Sequence, residues 1–210
     1  MLIVRNNYDP ITFYMYEWSI PIIEEAEKRG ITVDSIDGKK VVKSEIVSRI
    51  QKTNPAFLVL NGHGDDSSFC GYENEIVISL NNAQIFANKI AFARACNCVE
   101  ILGKNAVEKH TCTSFIGYKY EFVNVRQKNL EANPRRDEVS MPIWEISNAV
   151  PISLIKRGTV SQAIETSHKK ATKEMLRLLY SAEPSAIPVL KALLTNDEGL
   201  TYFGDESARI

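Results

Sequence analysis

The chain has 210 residues, which fits one large α/β domain or at most two small ones and buries a core without disulfide staples. Lys plus Arg (25) nearly cancel Asp plus Glu (26), so no global charge points to nucleic acid or to an acidic surface. No run of about 18 apolar residues marks a membrane span, and MLIVRNNYDP lacks the basic region and long apolar core of a secretory signal. The four cysteines (Cys70, Cys96, Cys98, Cys112) are therefore expected to be free thiols in a cytoplasmic protein.

Leu2–Arg5 reads as a first strand, followed by a polar loop, Asn6–Pro10. In Tyr14–Arg29 the apolar residues Trp18, Ile22, Ile23 and Ala26 stand at helical spacing, and Gly30 is the stop signal. Ile31–Ile36 alternates as a strand, Asp37-Gly38 is a turn signal, and Ser44–Gln51 sets Ile46, Val47 and Ile50 on one helical face. Pro55 then opens the apolar run of Ala56–Gly64, AFLVLNGHG. This strand–helix alternation calls for a parallel sheet with right-handed crossovers.

Asp65–Ser79 breaks the rhythm and reads as a small hairpin, with Asn81 or Asn82 capping a short helix through Ala87. Lys89–Cys98, KIAFARACNC, supplies the next strand. Val99–Val107 reads as a short helix interrupted at Gly103, and Thr113–Gly117 as a strand that Lys119–Arg126 continues or pairs beside. Gln127–Val139 is the most polar stretch and is expected to be a long mobile loop. Pro142–Lys156, Thr159–Tyr180 and Pro184–Leu194 read as helices, and Gly199–Ile210 as a tail. No linker divides the chain, so a single domain over residues 1–210 is expected, α/β in class, with a mostly parallel sheet flanked by helices.

The chemistry concentrates where two apolar runs end, at His63 and at Cys96. Ligands bind outside the carboxyl ends of parallel strands. If these two strands are neighbours, an imidazole and a thiol emerge side by side, as a cysteine nucleophile needs. A protonated His63 and a helix starting after Cys96 would both lower the thiol pKa. Gly64 lets the backbone approach a substrate, and its N–H with that of Cys96 would form an oxyanion hole. The reaction expected is attack of Cys96 on a peptide carbonyl, with His63 protonating the leaving amine and water resolving the thioester. It requires no metal and no organic cofactor.

A strand ending in His-Gly (NGHG), then a strand ending in Ala-Cys (RAC), with Cys96 33 residues after His63, resembles the caspase-like cysteine peptidases. That group includes caspases, metacaspases, legumains, gingipains, separases and the bacterial CHAT proteases. EIVISLNNAQIF sits where the family places a hairpin and short helix, and TSFIGYKYEF is similar to the strand and loop beside its specificity pocket. SLIKRGTVSQAIETSHKK is similar to a helix of gingipains and CHAT proteases that follows a Gly-centred turn, and LTYFGDESARI to their FGDPS ending, with Glu206 in place of proline. The resemblance implies a caspase-like three-layer sandwich and a thiol protease acting on a protein or peptide, switched on by a partner or by proteolysis. It also implies that Arg94, two residues before the cysteine, lines the pocket for the residue preceding the cleaved bond. There it either favours an acidic or polar side chain or pairs with a nearby carboxylate. Asn7, Tyr8, Asp9 and Tyr118 are expected around the substrate on the same grounds.

Other readings compete at single positions. His63 fits a structural buried histidine as well as a catalyst, and a caspase-like fold without turnover would serve as a partner-binding module. Zinc is a poor match, because the C-x-C and H-x-C spacings differ from those of structural sites. Asn61 either orients His63 or plays a structural part, the latter preferred. His110 and His168, in charged contexts, read as solvated, as does Arg135-Arg136, unless that pair is a processing site.

Overall fold

Six strands form the central sheet of the computed structural model, which describes residues 1–210. β1 (Leu2–Arg5) lies between β2 (Asp34–Asp37) and β3 (Phe57–Asn61); β6 (Ile90–Arg94), β7 (Ser114–Tyr118) and β8 (Leu200–Gly204) follow on the β3 side. Every pair is parallel except β7 with β8. A separate antiparallel ribbon joins β4 (Ser68–Cys70) to β5 (Ile76–Ser79).

β1, β3, β6 and β7 are buried along their whole length, which is why they read as continuous apolar runs rather than alternating ones. Their successive side chains still divide between two cores. Ile3, Val59, Phe92 and Ile116 pack with α1 (Pro10–Trp18), α2 (Ile20–Lys28), α5 (Met141–Ile155), α6 (Val160–Leu179) and α7 (Ala186–Gly199). Leu2, Leu58, Ala91 and Phe115 pack on the other face with α3 (Lys43–Thr53), α4 (Lys104–His110) and the ribbon. The result is a three-layer α/β fold. No helix is long and apolar enough to cross a membrane.

Several elements differ from the sequence reading. The helix expected over Tyr14–Arg29 is two helices that begin earlier. Asp9 caps α1, its carboxylate accepting from Thr12 N–H (2.9 Å), while the Thr12 hydroxyl oxygen accepts from Asp9 N–H (3.1 Å). Pro21, near the start of α2, has no N–H for the preceding turn and breaks the run at Ser19. Ser79, not Asn81 or Asn82, caps the short 3₁₀ segment Leu80–Phe86, with the Asn82 side chain accepting from Ser79 N–H. Lys119–Arg126 forms no strand: its place beside β7 is taken by β8, drawn from the supposed tail.

Gln127–Val139 is not the loose loop expected. Asp137 is fully buried and accepts from Tyr14 Oη (2.7 Å) and from the N–H groups of Gln127 (2.9 Å), Val139 (3.1 Å) and Ser140 (3.2 Å). Burial alone would raise this carboxyl group; the Gln127, Tyr14 and Ser140 donors outweigh it and hold the pKa below its ordinary value. The loop is thereby pinned to α1, the helix whose cap, Asp9, reaches the site described next.

Candidate active site

β3 and β6 are adjacent and parallel, with Asn61 paired to Arg94 in register. His63 and Cys96 each lie two residues further on, so both leave the sheet at its carboxyl rim, on neighbouring strands. Gly62 N–H donates to Arg94 O (3.3 Å) and carries the pairing one step past the strands. Both side chains are half-buried. Gly64 marks the closest approach: a β-carbon there would stand 2.8 Å from Ser68 O, 3.1 Å from Ala95 Cβ and 3.6 Å from Cys96 O. Only a residue without a side chain fits. The N–H groups of Gly64 and Cys96 have no acceptor within the protein.

Asp9 holds His63 from the other side. Its Oδ2 lies 2.8 Å from Nε2, while Oδ1 caps α1. A carboxylate only accepts, so Nε2 is the donor in this bond, and in the neutral ring that leaves the lone pair on Nδ1. Asp9 follows β1, which flanks β3 opposite β6. The order across the rim is therefore carboxylate, imidazole, thiol, one from each of three adjoining strands. The Tyr8 ring stands edge-on to the His63 ring at 6.1 Å, and Tyr8 Oη donates to Asn74 Oδ1 (2.7 Å). Burial, reinforced by the Asp9 charge, pushes the Tyr8 pKa to about 12. Asn7 turns away: its side chain lies against Gly38.

The thiol is not pre-activated by a helix. Cys96 is followed by a π-helical turn, Val99–Gly103, and then by the seven-residue α4, so no long helix starts at the sulfur. Burial instead raises the Cys96 pKa, the Phe122 main chain acting in the opposite sense and Glu121 adding to the rise. Cys98 is fully buried and raised further by burial; Cys112 is pushed to about 12 and lies 3.3 Å from Lys89 O; Cys70 is half-buried. No group of three or more His, Cys, Asp or Glu side chains is placed to hold a metal.

Arg94 and Tyr118 do not line an open pocket. Arg94 is fully buried, Nε donating to Ser147 Oγ (2.8 Å), Nη1 to Asn61 Oδ1 (3.0 Å) and Nη2 to Asn148 Oδ1 (2.5 Å). Its guanidinium faces the rings of Phe92 and Trp144 at 5.6 and 5.5 Å. It forms no ion pair with a carboxylate; burial lowers its pKa to about 10, still charged at neutral pH. The Tyr118 hydroxyl, also buried, shares Ser147 Oγ (2.8 Å). Asn61 donates onward to Val4 O and Asn148 to Trp18 O (2.6 Å). These residues form a polar layer beneath the rim that joins β1, β3, β6 and β7 to α1 and α5. Asn61 belongs to it and makes no hydrogen bond to His63, in keeping with its preferred structural part. His168, expected to be solvated, instead pairs with Asp197 (Nδ1 to Oδ1, 2.7 Å) between α6 and α7.

No protein-family model matches the sequence, and no curated protein is similar to it. A solved structure is: the Arg-specific cysteine proteinase gingipain R, with a TM-score of 0.63 over the whole of this chain. The two share a fold. They are 11% identical, and this chain spans 46% of the gingipain R chain, under half its length. The likeness therefore covers the sheet and its helices and is silent on substrate.

The residue whose part in the site was missed is Asp9, read only as a loop neighbour of substrate. Its signal was present: Asp-Pro followed by Thr12 is a helix start, and a cap at Asp9 moves the first helix up to the rim.

Proposed function

We propose that the chain is a cysteine endopeptidase in which Cys96 is the nucleophile, His63 the general acid and base, and Asp9 the residue that positions His63. The observation that carries this reading is the register of β3 and β6, which sets the imidazole and the thiol on one rim with Nε2 already engaged by Asp9. A thiol raised by burial rests protonated, so the first step is proton transfer from Sγ to His63 Nδ1 as the sulfur adds to the carbonyl carbon. The oxyanion forms where the unpaired N–H groups of Gly64 and Cys96 lie. The imidazolium then protonates the leaving amine as the C–N bond breaks. Water, deprotonated by His63, cleaves the thioester and returns the thiol. Asp9 stabilises the imidazolium without taking its proton. No cofactor enters the scheme, and the substrate is a protein or peptide.

Labelling tests it. A peptidyl acyloxymethyl ketone should modify Cys96 alone, located by mass spectrometry, and the adduct should vanish in His63→Ala. Slow, equal labelling of the accessible thiols would end the proposal. It would favour a second reading, a catalytically silent fold that binds partners, for which the raised Cys96 thiol is the supporting observation.

A further inference from the structure

We propose that Tyr8 and Tyr72 form an aromatic ledge that receives the substrate side chain immediately after the cleaved bond, and that this side chain is aromatic or large and apolar. The inference rests on the assignment of Cys96 and His63 above. It follows from the order of strands. β6 and β1 flank β3 on opposite sides. The acyl half of the substrate must lie over Cys96, on the β6 side. The leaving amine must meet His63 to be protonated, so the chain beyond it runs on toward the β1 side.

What stands there is an aromatic pair. Tyr8 meets the His63 ring edge-on, and the Tyr72 ring meets Tyr8 at 5.4 Å and 69°. Both tyrosines are half-exposed. The pair is held before any substrate arrives. The Tyr8 hydroxyl donates to Asn74 Oδ1 and Tyr72 N–H donates to Val41 O (3.0 Å). The segment directly after Tyr72 carries two consecutive non-glycine residues in the left-handed region, Glu73 (φ 53°) and Asn74 (φ 64°). Such backbone is costly and persists where surrounding structure fixes it, often at ligand-binding loops. A surface fixed in advance loses little entropy on binding. With the Tyr8 hydroxyl committed to Asn74, ring surface is what remains on offer, and it suits aromatic partners edge-to-face. Exposed Glu73 and Glu75, on either side of Asn74, disfavour an acidic residue.

The test uses three substrates with one acyl sequence, chosen from a library of peptidyl aminocoumarin amides. Two are internally quenched peptides with Phe or Gly after the cleaved bond; the third is the aminocoumarin amide, which has no residue there. Wild type should favour Phe over Gly by about fivefold or more in kcat/KM, the scale of one aromatic contact. Tyr72→Ala should bring that ratio close to one. Asn74→Gly, which keeps the left-handed backbone and frees Tyr8, should lower the ratio part-way and serves if Tyr72→Ala fails to fold. Turnover of the amide with no Phe preference, or a ratio unmoved in both variants, overturns the ledge and leaves the protease standing. An amide library with no turnover at all overturns the protease, and the ledge with it.

Discussion

Two histidines in this molecule pair with an aspartate at nearly the same distance, 2.8 Å for His63 with Asp9 and 2.7 Å for His168 with Asp197. The pairs differ in which ring nitrogen the carboxylate takes and in what faces the other. His63 gives Nε2 to Asp9 at the carboxyl rim of a parallel sheet, and the adjoining strand leads to a cysteine. His168 gives Nδ1 to Asp197 on the seam between α6 and α7, among surface lysines and glutamates and with no thiol beside it. On the proposed assignment, the same histidine–carboxylate pairing serves catalysis in one place and helix docking in the other. Position in the sheet, and not the histidine–carboxylate motif, is what distinguishes them.

That comparison breaks if the rim pair proves dispensable. Cys96→Ala should abolish peptide turnover, a loss of at least about 10³-fold in kcat/KM, with His63→Ala close behind. The melting temperature should stay near wild type in both, since each side chain is half-exposed. A Cys96→Ala protein that still cleaves would remove the distinction between rim and seam.

The rim also stands on a buried polar layer that the seam lacks. Arg94→Met should strip donors from Asn61, Asn148 and Ser147 inside the core. Leaving buried acceptors unpaired costs about 1–3 kcal/mol each before relaxation, so a loss of about 3 kcal/mol in urea unfolding is expected, with retained fold in the absence of denaturant. A loss under about 1 kcal/mol would mean that the layer is not what holds the strands in register.

Much of this was legible in the residues, and the failures have physical causes. β3 and β6 were clear because strands buried on both faces read as unbroken apolar runs bounded by turns, and the rim chemistry sits where those runs stop. Arg94 was misplaced because motif position says which strand a residue is on and not whether its head group has a cavity to enter; three neutral acceptors, two of them from α5, close over it. β8 was hidden because an edge strand buries little of itself and LTYFG is short. The order in Gln127–Val139 was invisible because one buried carboxylate, Asp137, supplies it through main-chain donors that carry no side-chain signature. His168 looked solvated because its partner lies 29 residues away on another helix.

A sharper version of the comparison removes only the charge at the rim. Asn is as good a helix cap as Asp, so Asp9→Asn keeps the start of α1 and takes away the carboxylate that holds His63. Turnover should fall by about tenfold to a hundredfold, mainly in kcat, with an unchanged melting temperature. A fall in stability without a fall in kcat would make Asp9 a cap and nothing more.

The seam gives the smallest effect and a sign that can be read from pH. His168 is held above its ordinary pKa, first by the Asp197 hydrogen bond, with burial opposing and the Asp197 charge adding to it. A group raised in the folded state binds its proton more tightly there than in the unfolded chain, where it titrates near 6.5. The stabilisation is therefore complete below that value and is lost as pH rises through the folded pKa above it. Because the histidine is 41% exposed, solvent screening keeps the pair to about 0.5 kcal/mol. Asp197→Asn should be less stable than wild type at pH 5.5 by about that amount, and the gap should close by pH 9. Peptide turnover should not change at either pH, since no hydrogen bond links the His168–Asp197 pair to His63 or Cys96. A variant that lost turnover at pH 5.5 would tie the two histidines together and undo the contrast between them.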